Sequence, residues 1–189
     1  MTTAVPPPAP PPTEAALLDA FEHEAASSGL ANVGLRSVAR RAGLSHAAPG
    51  HVFGSLAGMQ RAAAERACLA LGAAVEQARA DVGDPFDALV AEGFAVIDWA
   101  LASPVRFDLL FRAGGQVDAV VHEMRGMAYR CFVTSVECCV APERVADVAL
   151  EVWATTIGLA SVLLDDRSGS TELDRVHRII AGQIDRLRS

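Results

Sequence analysis

The sequence predicts an all-α chain: a three-helix N-terminal unit, then a helical bundle, about nine helices in all. Three observations lead there. Residues are 51% hydrophobic, with Ala, Leu and Arg, all strong helix formers, prominent among them. Apolar side chains recur at spacings of three and four, without the alternation of half-buried strands. Prolines and small polar clusters fall between the periodic stretches, where helices start and stop.

Taken in order, "MTTAVPPPAPPP" (1–12) is an extended, polyproline-like tail. Thr13 is placed to cap a first helix over "EAALLDAFEHEAASSG", with Leu17, Leu18, Phe21 and Ala25 on one face and Ser27, Ser28 and Gly29 ending it. A short helix over 35–42 turns Leu35, Val38 and Ala39 inward and Arg36, Arg40 and Arg41 outward. Gly43 stops it. Ser45 is expected to cap a third helix over 46–53. A long helix follows over 55–80, with Gly58 and Gly72 as weak points, and "GDP" at 83–85 breaks it. Further helices are expected at 85–102, 104–113, 117–140, 142–165 and 171–188. Pro85, Pro104 and Pro142 each suit a first turn. The borders are Ser103-Pro104, Gly114-Gly115, Ala141-Pro142 and "DDRSGS". The domain plan is a tail over 1–12, a helix-turn-helix unit over 13–60 and a helical body over 61–189.

Composition narrows the function. The net charge is −7, and all 16 basic residues are Arg. That sign argues against coating nucleic acid nonspecifically, yet leaves room for a small local DNA-binding face. No apolar run reaches the roughly 18–20 residues of a membrane span. The N-terminus lacks the features of a signal peptide, so no membrane partner and a cytoplasmic location are expected. Cys68, Cys131, Cys138 and Cys139 form no CxxC pair and are expected as buried or half-buried free thiols. A redox role for Cys138 or Cys139 is the remaining option. No cofactor, metal cluster or catalytic residue is expected: there is no phosphate loop or Ser-His-Asp spacing, and His122 and His177 look isolated.

Two short helices joined by a Gly turn make a helix-turn-helix pattern. In such a unit a small core holds the second helix at a fixed angle, so that its first residues meet base edges in the major groove. "LRSVARRAGLSHAAPGHVF" resembles the DNA-binding segment of the TetR/AcrR transcriptional regulators, especially the branch carrying "RRAGVSHAAPYRHF". "LASPVRFDLLF" is similar to the "PxxFRLMF" stretch of that branch. "ALEVWATTIGLASVLLD" resembles its tryptophan-containing (WHG-type) C-terminal helix. The resemblance implies an all-helical dimer with a DNA-binding end and a ligand-binding body.

Three departures concern phosphate anchors. Gly50 stands where relatives usually have Tyr, Leu56 where a Lys is common, and Val33-Gly34 where a Thr or Ser caps the second helix. Glu22 and Glu24 also stand where relatives are often apolar, and Ile157 replaces the His of the Trp-x-x-x-His-Gly pattern. Pro49, by contrast, belongs to the branch and costs little in a first helical turn. Gly50 weakens its helix by about 1 kcal/mol relative to Ala.

The expected DNA-binding residues are Arg36, Arg40, Ser45, His46, Ala47, Ala48, Gly50 and His51, with Arg41 a further phosphate contact. Arginines would meet phosphates, His46 and His51 bases or phosphates, and the alanines a thymine methyl. A ligand site in the body would draw on Phe94, Phe107, Leu110, Phe111, Met124, Met127, Tyr129 and Trp153, for which ordinary core is the competing reading. Few charges sit among them, so the effector is expected to be small and mainly apolar. A two-fold interface is placed on the last two helices, at Val152, Thr156, Leu159, Val176, Ile180 and Ile184. Such a homodimer would set two recognition helices about 34–36 Å apart, matching an inverted-repeat operator. The expected function is therefore a DNA-binding regulator, a repressor released by its ligand. The alternative is a helical dimeric interaction or sensor protein with weak or lost DNA binding.

Overall fold

The computed structural model describes residues 12–112, 119–166 and 172–188. The polyproline tail up to residue 11, the Gly114-Gly115 border and residues 167–170 of the last one lie outside that range. Nine α-helices and no strand occur among the described residues. The chain divides between Ala63 and Ala64 into two compact units.

The first unit is built from α1 (Pro12–Ser28), α2 (Leu35–Arg41), α3 (Ala48–Phe53) and the first turns of α4 (Leu56–Arg79). Its core is Leu17, Leu18, Phe21, Val38, Ala39 and Met59, all essentially buried. Thr13 lies inside α1, which starts at Pro12, two residues earlier than its capping role required. Beyond α1 the chain turns at Gly29, where φ is +83°. Gly34 takes the N-cap position of α2 without a side chain, and the Ser37 hydroxyl reaches back to donate to its carbonyl at 2.8 Å.

The exit from α2 is tightly specified. The Leu44 amide donates to the Ala39 carbonyl at 2.9 Å and the Gly43 amide to the Arg40 carbonyl at 3.2 Å. This paired reversal needs a left-handed residue, and Gly43 has φ +68°. Ser45 does not cap α3 as expected. The helix opens at Ala48 with Ala47 in the cap position and no side-chain cap; Ser45 contributes only its carbonyl, which accepts from the Ala48 amide at 3.0 Å. The capping serine is ten residues later: Ser55 Oγ accepts from the Gly58 amide at 3.0 Å and opens α4.

The second unit contains the rest of α4, α5 (Pro85–Ala102), α6 (Pro104–Phe107), α7 (Ala119–Glu137), α8 (Val145–Asp165) and α9 (Leu173–Asp185). Asp84 caps α5, its carboxylate accepting from the Phe86 and Asp87 amides, each at 3.0 Å. The helix expected at 104–113 is short: after α6 the chain winds into a π-helical turn over Asp108–Arg112. Arg125 Nε donates to the Leu110 carbonyl within that turn at 2.7 Å. α7 and α9 are also shorter than expected, and Pro142–Arg144 is a 3-10 turn ahead of α8.

α5 is the centre of this unit, in contact with α6, α7, α8 and α9. Leu89, Val96, Ile97 and Ala100 from α5 pack in the same core as Val148, Ala149, Val152 and Ala160 from α8 and Val176, Ile180 and Ile184 from α9. Gly93 permits the closest approach: a Cβ there would lie 2.8 Å from Ile180 Cγ2.

Residues 142–165 are long and apolar enough, by composition, to cross a membrane, although only 28% of the best window is buried. That corrects the expectation that no such stretch exists. The carboxylates in it are too few to lower the average hydropathy, though they interrupt every uncharged run.

Candidate nucleic-acid interface

α2, the Gly43 reversal and α3 present a connected outer face. Arg36, Arg40, Ser45, His46, Ala47, Gly50 and His51 are exposed and Ala48 half-buried. Pro49 is buried, so it anchors the first turn of α3 from within. Thus all eight residues singled out in the sequence are at least partly accessible to solvent. Gly50 is helical, and a Cβ added there meets nothing within 4 Å. Its lack of a side chain is therefore not a packing requirement.

Arg41 is a different case. Its Nε lies 2.5 Å from Glu24 Oε1. That contact, chiefly its hydrogen bond, holds the Glu24 carboxyl below its usual range, assisted by the Ser37 hydroxyl and Arg40. The acidic residue in α1 thus braces α1 against α2 and engages one of the three arginines. The sequence contained both residues, but their pairing is 17 positions apart and became visible only in the fold.

In the second unit an aromatic cluster surrounds Trp153. Its ring centroid lies 5.9 Å from Phe111, 5.7 Å from Tyr129 and 5.5 Å from Phe132. Phe107 joins through Phe111 at 5.2 Å. Sequence reasoning named four of these five and missed Phe132, whose spacing of three from Tyr129 was the available signal. Leu110 and Met124 are buried. Met127 is 49% exposed, and Phe94 instead stacks on His177 at 4.1 Å. Those two depart from the expected ligand-lining set. Nor is His177 isolated, since its Nε2 is 3.7 Å from Asp98 Oδ1.

The expected dimer residues need a larger correction. Val152, Thr156, Val176, Ile180 and Ile184 are all buried in the chain's own core, and Leu159 is half-buried. The regular stripes on α8 and α9 pack against α5, which offers apolar side chains along its length. The face left open on α8 carries Leu150 at 61% exposure and Val162 at 52%, with Ala154 and Gly158 exposed between them. The cysteines are free; Cys131 and Cys138 are exposed rather than buried. Burial pushes the Cys139 thiol up to about 11, leaving it a weak nucleophile at neutral pH.

A family model described as the tetracyclin repressor-like C-terminal domain matches residues 89–187, more than half of the chain. The chain belongs to the TetR family of transcriptional regulators. This is a family of DNA-binding helix-turn-helix proteins, which usually act as dimers. Solved structures share the fold. A Rhodococcus sp. RHA1 protein of unknown function has a TM-score of 0.79 at 24% identity, over 96% of this chain and 98% of its own. A transcriptional regulator from the same organism gives 0.79 at 23%, over 92% and 95%. The TetR family transcriptional regulator PfmR from Thermus thermophilus gives 0.68 at 19%, over 90% and 97%. No curated protein matches the sequence.

Proposed function

We propose that this TetR-family chain is a repressor that binds an inverted-repeat operator as a homodimer and is released by a small, mainly apolar molecule. It acts by binding, not by catalysis, in the cytoplasm. The observation that carries the reading is the exposed face from Arg36 to His51, fixed by the Gly43 reversal. Such a face presents two arginines for phosphates and small residues at the helix start for close approach to bases. The open apolar face of α8 supports a second copy of the chain as the partner. The cluster of Phe107, Phe111, Tyr129, Phe132 and Trp153 supports the apolar character of the effector.

The test is fluorescence anisotropy with DNA from the intergenic region upstream of the gene, titrated in salt. With Arg41 engaged by Glu24, each head offers Arg36 and Arg40 to phosphates. Four such contacts across a dimer give a slope of log K against log salt of about −3.6. Binding without sequence preference, or none at all, counts against the proposal.

One observation favours the second reading, an interaction or sensor protein that has lost DNA affinity: Gly50 supplies no side chain where the surface is open. Restoring an anchor with Gly50→Tyr and Leu56→Lys should strengthen operator binding under the first reading. If the double variant still binds no DNA, the second reading is preferred.

A further inference from the structure

The second unit contains a buried carboxylate that the DNA-binding reading does not use. Glu92 of α5 is 2% exposed, the one acidic side chain among the described residues with so little solvent contact. Its Oε1 accepts from the Ser135 hydroxyl of α7 at 2.8 Å and lies 3.2 Å from Nη1 of Arg79, the last residue of α4. Arg79 Nη1 also lies 3.2 Å from Ser135 Oγ. One carboxylate therefore ties three helices at a single point. Three apolar residues would hold the same helices together without the cost of burying a charge. A charged contact differs in one respect: it can be switched off by one proton.

We propose that Glu92 is a charge latch that fixes the C-terminal end of α4 against α5 and α7, and that neutralising it releases that end. The functional consequence rests on the repressor reading. α4 is one continuous helix, Leu56–Arg79, whose first turns belong to the DNA-binding unit. Freedom at its far end widens the range of positions that the helix samples, and so weakens operator binding without touching DNA or effector.

The surroundings set the direction of the switch. Facing Glu92 are Arg79 and Glu76 from α4, Ser135 from α7 and the Cys139 thiol just beyond α7. Burial is the largest influence and raises the Glu92 carboxyl above its ordinary range, opposed by Ser135 and Arg79 and reinforced by Glu76. Protonation thus occurs at a higher pH than for an exposed glutamate. The protonated acid keeps its place beside Ser135 but no longer attracts Arg79.

Hydrogen exchange of the full-length protein, corrected for intrinsic rates, tests the latch. Glu92→Gln keeps the shape and a hydrogen bond to Ser135 while removing the charge. Protection of Val75–Arg79 should fall about tenfold in this variant at neutral pH, with α9 unchanged. In the wild type, lowering the pH should produce the same local loss, and in Glu92→Gln that pH step should be absent. Ser135→Ala, which retains the ion pair, should cause a smaller loss. The proposal is overturned if the end of α4 stays equally protected in Glu92→Gln and in acidified wild type, or if protection falls evenly through α5, α8 and α9. If Glu92→Gln does not fold, the pH step in the wild type decides the question alone. Absence of DNA binding in the wild type would defeat the repressor reading and leave the exchange result standing.

Discussion

Gly50 and Gly58 are eight positions apart in the same unit, yet the same substitution should move stability in opposite directions. At Gly50 an added Cβ meets nothing within 4 Å, and the residue is already helical. Gly50→Ala should therefore gain the helix-propensity difference, about 0.5–1 kcal/mol. At Gly58 the Cβ would stand 2.1 Å from the Phe53 carbonyl oxygen, some 0.9 Å inside the 3.0 Å limit of real contacts. That oxygen belongs to the backbone, and the next residue, Gly54, is held at φ +73°. Relief means shifting the α3–α4 turn, an overpacking cost of about 1–3 kcal/mol that outweighs a propensity gain of about 1 kcal/mol. Thermal unfolding followed by circular dichroism reads both variants, at roughly 2–4 °C per kcal/mol for a chain of this size. Gly50→Ala should melt higher than wild type and Gly58→Ala lower. If Gly58→Ala melts at or above the wild type, the close approach of α4 to Phe53 is refuted.

Ile180→Ala should cost about 2–5 kcal/mol in chemical denaturation, because the side chain is fully buried against α5 rather than held for a partner; a loss of dimerisation at unchanged monomer stability would restore the interface reading. Gly93→Ala should cost about 1–3 kcal/mol in the same assay, since Ile180 Cγ2 at 2.8 Å is branched and cannot swing aside. Leu150→Asp with Val162→Asp should dissociate the dimer in analytical ultracentrifugation while leaving the helical signal intact. In acid, Glu24 and Glu92 should act oppositely. The Glu24 carboxyl is lowered, so its stabilisation is present above its ordinary 4.5 and is lost as pH falls through and below that value. The Glu92 carboxyl is raised chiefly by burial, so stability of the whole fold tied to its protonated form is present below 4.5 and is lost as pH rises through its higher folded value, whereas the local hold on Arg79 belongs to the ionised form and runs the other way. Urea midpoints of Glu24→Gln and Glu92→Gln against pH should show these two opposed differences from wild type.

The fold was legible in the sequence where local chemistry decides it. Gly43 ends α2, and Pro85 and Pro104 open helices, because these residues restrict the backbone wherever they stand. Ser45 misled because "GLS" offers two ways to leave a helix. The Ala39–Leu44 bond completes the reversal, and the chain then spends Ser45 to Ala47 in a turn before α3. The exposure of the residues from Arg36 to His51 was also legible, since charged and small residues alternate there with a few core positions. The interface was not. Val152, Val176 and Ile180 form the most regular apolar stripes in the chain, and a stripe records only that a face is covered. Whether α5 or a second subunit covers it depends on packing between distant segments. The less regular set, Leu150, Ala154, Gly158 and Val162, is what the intramolecular core leaves over.

The Glu24–Arg41 pair bears on how such an acidic protein can still find a DNA site. Engaging Arg41 removes one cation from each head, and Gly50 and Leu56 offer none in compensation. On the proposed reading each head alone would hold a duplex weakly, with Arg36 and Arg40 as the exposed arginines of this stretch not tied to Glu24. Two heads joined through one interface bind as a unit, because the second contact is made at high effective concentration once the first is in place. Affinity would then depend strongly on the dimer and on the spacing between heads, and would fall with salt along the slope of about −3.6 that four phosphate contacts give. A regulator of that kind is easily released. On the proposed reading, a small change in the separation of the heads would cost one of the two contacts and leave a head with too few cations to stay bound alone.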